Sequence, residues 1–247
     1  MTGLAAGRVI AKRRWADGLA TLTIEAETEP FEPGQFVNLA RESDGDVLRR
    51  AYSLASPPGA PLAFLVNRVD GGAFTPYLLS REPGDALLVE RKPQGFFTLR
   101  YVPPAAELWL VATGTGLGPF LSILGAGEAL SRFERIVLVH GVREPSHFAH
   151  RAELEALEAA HPGRFKLIRA VTRAEATDGA LRGRVTELLS QGELERAAGL
   201  ELRPDRSHLM LCGNPAMAEE MLALLAPRGL VRHRVRKPGH VTIEKYW

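Results

Sequence analysis

Along the first hundred residues apolar and polar positions alternate in short runs: LATLTIEA (19–26), GQFVNLA (34–40), RAYSLAS (50–56), LAFLVNRV (62–69), DALLVERK (85–92) and GFFTLR (95–100). A period of two is that of a strand with one buried face, and the Gly, Pro and Asp residues between the runs are turn signals. Strands so closely spaced, with no convincing helix between them, predict a barrel or a sandwich. One short helix is expected within TPYLLSR (75–81).

The rhythm then changes. YVPPAAE (101–107) reads as a linker, because its two prolines cannot continue a strand. Beyond it, near-continuous apolar strands alternate with helical patterns. LWLVAT (108–113) precedes PFLSILGAGEALSRF (119–133), and RIVLVHG (135–141) precedes RAELEALEAAH (151–161). FKLIRAVT (165–172) precedes VTELLSQGELERAA (185–198), HLMLCG (208–213) precedes PAMAEEMLALLA (215–226), and HVTIEKYW (240–247) follows. That order predicts a parallel sheet covered on both faces. Two domains are therefore expected, residues 1–102 and 103–247.

At 247 residues, 45% hydrophobic and 24% charged, the chain has the composition of an ordinary globular protein. It shows no apolar run able to cross a bilayer and no signal-peptide pattern, so a cytoplasmic location and a monomer are the default expectations. Its single cysteine, Cys212, excludes an intrachain disulfide, a cysteine-ligated iron–sulfur cluster and a Cys-rich zinc site within this chain; no metal site is expected. A net charge of +2 is too small to argue for nucleic acid. The charge is unevenly spread, however. Arg228–His240 carries five Arg or Lys and two His with no acid, either a solvated basic face or a docking surface for an acidic partner.

Between the first strand and first helix of the second half stands ATGTGLGPF, with Gly114, Gly116 and Gly118 in the turn and Pro119 suited to a first helical position. Glycines allow close backbone approach, and a helix start offers free N–H groups, so the turn suits a phosphate or diphosphate. It is not G-x-G-x-x-G, since the third glycine comes one residue early. Arginine after the following strands favours a 2′-phosphate over a free 2′-hydroxyl. Arg143 ends the second strand, Thr172 and Arg173 end the third, and Arg182 and Arg184 follow; Glu144 is the dissenting residue.

These motifs together resemble a family. RAYSLASPP (50–58) resembles the Arg-x-Tyr-Ser flavin motif of the ferredoxin–NADP reductases, GTGLGP (114–119) their nicotinamide-nucleotide loop, LCGNPAM (211–217) their Cys-Gly motif and IEKYW (243–247) their aromatic terminus. All four occur in the family's order, and the likeness, which runs over essentially the whole chain, is to the compact bacterial ferredoxin/flavodoxin–NADP reductases. It implies an N-terminal antiparallel Greek-key β-barrel holding FAD and a C-terminal α/β domain with a parallel sheet holding NADP(H).

Carried onto this sequence, the resemblance pairs Arg50 with the FAD diphosphate, lays Tyr52 on one face of the isoalloxazine and sets Ser53 near N5, with Ala51 between them. Leu65 and Val66 run along the flavin, and Ala73, Phe74 and Thr75 form the phosphate turn. Thr115 is expected to face both cofactors. Gly114, Gly116, Arg143, Thr172, Arg173, Arg184, Cys212, Gly213 and Asn214 are assigned to NADP, with Cys212 and Glu244 beside the nicotinamide. Tyr246 would cover the flavin ring and move aside for nicotinamide, and Trp247 would pack on the adenosine end. Ser53, Cys212, Glu244 and Tyr246 are thus the expected catalytic set.

The implied reaction is hydride transfer from NADPH to FAD, followed by single-electron delivery to ferredoxin or flavodoxin, both acidic carriers. Two other readings stand beside it. One is a reductase component serving an oxygenase; the other is a nucleotide-binding module without catalytic activity.

Overall fold

The computed structural model describes residues 3–43, 46–175 and 178–245. The chain divides into two compact units, one running to Leu99 and including Gly118–Ala126, the other comprising Arg100–Leu117 and the residues from Gly127 onward.

The first unit is built from β1 (Leu4–Ala16), β2 (Leu19–Ala26), β3 (Phe36–Ser43), β4 (Asp46–Ser53), β5 (Leu62–Asn67), α1 (Thr75–Leu79) and β6 (Ala86–Glu90). Asp17 and Gly18 join β1 to β2 in a two-residue turn, and Gly18 has φ +71°, the left-handed geometry such hairpins need. The strand order is β4-β3-β6-β1-β2-β5, with every pair antiparallel. Just past β4, the Ala55 N–H donates to the Ala63 carbonyl of β5 at 2.8 Å, so the two ends of the sheet curl together into a barrel. Inward residues such as Leu22, Ile24, Leu39, Phe64 and Val89 are fully buried and fill it, joined by Leu78 of α1 and by Phe74 just before that helix.

GFFTLR does not form the expected strand. Only Gln94, just before it, bridges to Phe36; Gly95 turns the chain at φ +110°, and the end of the segment enters a 3₁₀ turn over Leu99–Tyr101. Its apolar pattern has another cause: Phe97 is buried against the ring of Phe120, 5.7 Å away.

The second unit carries β7 (Glu107–Thr113), a 3₁₀ turn (Gly114–Leu117), α3 (Glu128–Arg132), β8 (Arg135–Val142), α4 (Arg151–Ala160), β9 (Phe165–Val171), β10 (Leu181–Arg182), α5 (Val185–Ser190), α6 (Glu193–Ala198), β11 (Ser207–Gly213), α7 (Pro215–Leu225) and β12 (Val241–Lys245). Between the 3₁₀ turn and α3, helix α2 (Gly118–Gly125) packs with the first unit, where the Ser122 hydroxyl donates to the Ser56 carbonyl at 2.7 Å. The helix expected across 119–133 is broken at Gly127 (φ +78°), and that expected across 185–198 at Gly192 (φ +71°). In each case a left-handed glycine is the N-cap of the second helix, a conformation that a continuous helix does not contain.

The sheet order is β10-β9-β8-β7-β11-β12, parallel throughout. From β7 the chain builds outward through β8 and β9, then returns to β7's other side as β11. The carboxyl ends of β7 and β11 therefore form the point where strand order reverses, which is where open α/β sheets bind ligands. Among the described residues no helix is long and apolar enough to cross a membrane.

Candidate functional site

In the barrel unit the candidate residues lie along its edge strand β4. Antiparallel pairing sets Tyr52 opposite Val37, Arg50 opposite Leu39 and Leu48 opposite Arg41, so these side chains share one face. Leu48 and Tyr52 rest on the barrel core, whereas Arg49, Arg50 and Ala51 stay exposed and Ser53 is buried. Arg50 donates only to the Arg49 carbonyl, at 2.8 Å, and makes no ion pair among the described residues. Burial pushes the Tyr52 phenol up to about 12, against a smaller opposing effect of the nearby Arg50 charge, so the ring stays neutral. An unpaired guanidinium beside a flat, neutral, half-covered ring suits a ligand with a diphosphate and a planar ring system.

Behind Tyr52 the rings of Phe74 (6.0 Å) and then Tyr77 (5.9 Å from Phe74) continue the packing. The guanidiniums of Arg81 and Arg41 lie over Tyr77 at 4.7 and 5.4 Å. Thr75 opens α1, and its hydroxyl accepts the Val69 N–H at 2.9 Å, fixing the turn that contains exposed Ala73 and buried Phe74. The other end of α1 is tied down by Lys12, whose buried ammonium donates to the Leu79 carbonyl at 2.6 Å and to Glu82 at 2.7 Å. The Leu65 and Val66 side chains are buried, Val66 within the barrel core, so any ligand contact of Val66 would come from its backbone.

In the second unit the candidate residues lie at its switch point. A Cβ on Gly116 would stand 2.6 Å from the Cys212 carbonyl carbon and 2.8 Å from Gly213 Cα, so only glycine lets the turn lie against β11. Gly213 has φ +130°, and the next residue, Asn214, gives its N–H to Thr113 Oγ1 at 2.9 Å while its side chain caps α7 by accepting the Ala216 N–H at 2.8 Å. From the opposite side His140 on β8 contacts the Gly114 carbonyl through Nε2 at 3.1 Å. Because a carbonyl can only accept, Nε2 carries the proton. Burial drives the His140 pKa down to about 4, outweighing the Gly114 bond that raises it, so the ring is neutral. Cys212 is fully buried and in register with Ala112 on one side and half-buried Glu244 on the other.

Arg143, Arg173 and Arg184 are all exposed, at the carboxyl ends of neighbouring strands β8, β9 and β10. The Arg173 N–H donates to the Arg143 carbonyl at 2.9 Å, which joins the first two loops. Thr172, also exposed, hangs from the same junction through its N–H to the Val142 carbonyl at 3.2 Å. None of the three arginines makes an ion pair among the described residues, whereas Arg182 pairs with Glu175 at 2.9 Å. Tyr246 and Trp247 lie outside the described residues.

Motif reading missed His140, Thr113 and Lys12. Thr113 directly precedes the glycine turn, and His140 is a polar residue inside the apolar strand RIVLVHG; Lys12 stands out only as one of three consecutive basic residues, a pattern that does not point to partners 67 and 70 residues away.

A barrel followed by a doubly wound sheet with a glycine-lined switch point defines a two-unit, nucleotide-dependent oxidoreductase, and the oxidoreductase NAD-binding domain family matches residues 110–222. Over its whole length the chain resembles the flavodoxin/ferredoxin–NADP reductase of Escherichia coli (strain K12), with 40% identity over 98% of each chain. It is also 35% identical to the ferredoxin–NADP reductase of Azotobacter vinelandii, over 99% of this chain and 98% of that one. A crystal structure of a ferredoxin NADP+ reductase from Neisseria gonorrhoeae with bound FAD and NADP superposes with a TM-score of 0.94 at 28% identity, covering all of both chains. The chain belongs to the ferredoxin/flavodoxin–NADP reductase family.

Proposed function

We propose that this protein is an FAD-dependent reductase that takes hydride from NADPH and delivers single electrons to ferredoxin or flavodoxin, acting as a cytoplasmic monomer. The observation that carries the reading is the full-length likeness to the Escherichia coli flavodoxin/ferredoxin–NADP reductase. Bound FAD supplies the exchange between two-electron and one-electron chemistry.

The protein's own residues bind and orient. Arg50 is free to neutralise the FAD diphosphate, Tyr52 gives the flavin ring a neutral surface, and Ser53 sets a hydroxyl at the end of the same strand. Ala51 and the 73–75 turn supply backbone groups. For NADPH, Gly114, Gly116, Gly213 and Asn214 admit the dinucleotide to the strand ends, and Thr115 stands in the same turn. Arg143, Arg173 and Arg184, with Thr172, receive the 2′-phosphate, a role supported by the absence of any ion pair to the three guanidiniums among the described residues. Cys212 and Glu244, in register on adjacent strands, flank the nicotinamide in this proposal.

The basic stretch 228–240 suits the acidic carrier. Arg228 is held by Glu195 and the Leu202 carbonyl, but Arg234 and Lys237 pair through their backbones in a tight turn that exposes Val235 and Arg236, with Arg232 exposed beside it. Replacing Arg232, Arg234 and Arg236 by Gln should slow NADPH-driven carrier reduction several-fold and steepen its dependence on carrier concentration, leaving turnover with a small dye intact. Equal loss with dye and carrier would argue against docking there.

A further inference from the structure

We propose that His140 is a positioning residue for nucleotide binding: by holding the Gly114 carbonyl it fixes the Gly114–Thr115 peptide so that the Thr115 N–H points toward the anionic part of the dinucleotide. This rests on the NADPH reading above.

Gly114 has φ +55° and stands exposed at the mouth of the turn, where a Cβ would meet nothing within 4 Å. A glycine so placed is free to rotate the peptide that follows it. In a planar trans peptide the C=O and the next N–H point in opposite directions. The imidazole of His140, buried on β8, draws the Gly114 oxygen inward to 3.1 Å from Nε2. The Thr115 N–H is then turned away from β8, and at the first residues of a helical turn such groups have no carbonyl within the turn to receive them. The opposite orientation of the same peptide would present a carbonyl oxygen to a phosphate, exchanging attraction for repulsion. His140 is itself held: Phe148 meets its ring edge-on at 5.7 Å, and its register partners are Ala112 on β7 and Arg169 on β9. No reacting group lies within its reach among the contacts it makes, so the expected effect is on binding rather than on the transfer step.

The test compares His140→Leu, which removes the donor, with His140→Gln, whose amide nitrogen falls near the Nε2 position, in the FAD-loaded protein. Titration with NADP+ should give about tenfold weaker binding for H140L and nearly wild-type binding for H140Q, the size expected for one oriented hydrogen bond. KM for NADPH should rise with H140L while kcat and FAD content stay unchanged. Equal affinity in H140L and wild type, or loss of FAD in step with loss of NADP+, would overturn the proposal. Failure of wild-type protein to bind NADP+ would instead overturn the function on which it rests. Should H140L not fold, ¹⁵N NMR of the wild-type ring decides: the Nε2–H tautomer at neutral pH is expected, and an Nδ1–H tautomer, unable to donate to Gly114, would overturn the assignment.

Discussion

At Gly116 a methyl group would stand 2.6 Å from the Cys212 carbonyl carbon, so Gly116→Ala must part the glycine turn from β11 or distort both. The expected result is a loss of about 1–3 kcal/mol of stability and a weakening of NADP+ binding by about tenfold or more. Gly114→Ala differs, since the obstacle there is backbone strain at φ +55° with no steric contact. Calorimetric titration and thermal unfolding of the Gly116→Ala variant check the first claim. Arg50, Tyr52, Gly116 and Cys212 were singled out from the sequence, Gly116 by its glycine turn and the others by the resemblance of their short motifs to those of the family. His140 was not, because one histidine in an apolar strand looks the same whether its partner is a neighbouring carbonyl or nothing of functional interest. Only the contact with Gly114, 26 residues away, separates those cases.

Among the elements, α1 shows how a distant strand can govern a ligand turn. Its N-terminal residue Thr75 braces the 69–75 turn, and its C-terminal carbonyl at Leu79 is held by Lys12 from β1. Lys12→Met keeps the apolar stem and removes the ammonium, leaving that carbonyl without its donor. The FAD dissociation constant should rise about tenfold while NADP+ affinity is preserved, as measured by flavin fluorescence on release. An unchanged FAD affinity would show that α1 holds its position without the tether. Strands were the most legible elements, since alternation and turn residues coincide from LATLTIEA to DALLVERK. GFFTLR failed because its phenylalanine at 97 is buried without strand pairing, and the two long helices failed because glycines 127 and 192 read as tolerated interior residues rather than left-handed breaks. The two-residue strand β10 is too short to leave a periodic signal.

At the scale of the molecule, buried imidazoles set the response to acid. Burial lowers His140 to about 4 and His208 to about 3 from an ordinary 6.5, and His233, His240 and Arg132 near His208 act in the same direction. Below pH 6.5 the unfolded chain therefore holds protons that the folded chain refuses, and stability falls with pH across that window. Between pH 7.5 and 5.0 the loss should be roughly 2 kcal/mol for each histidine, seen as a falling urea midpoint. The carboxylates held low by arginine, such as Glu195 beside Arg228, add their losses only below their ordinary 4.5, so the two effects separate by pH. A midpoint flat between pH 7.5 and 5.0 would contradict the neutral, buried state of both rings. The two-unit division was legible from the change of rhythm near YVPPAAE; the placement of Gly118–Ala126 with the first unit was not, since it depends on packing of Phe120 and Ser122 that no local pattern records.

The central claim is that one chain binds FAD and accepts hydride from NADPH in preference to NADH. Its most direct test is the visible spectrum of the purified protein, titrated without oxygen first with NADH and then with NADPH. A flavin band that NADPH bleaches at far lower concentration than NADH is the expected result, establishing the cofactor, the hydride step and the role of Arg143, Arg173 and Arg184 together. Equal bleaching by both nucleotides would keep the flavin enzyme and remove the arginine clamp. A protein that stays colourless after incubation with FAD would contradict the function outright.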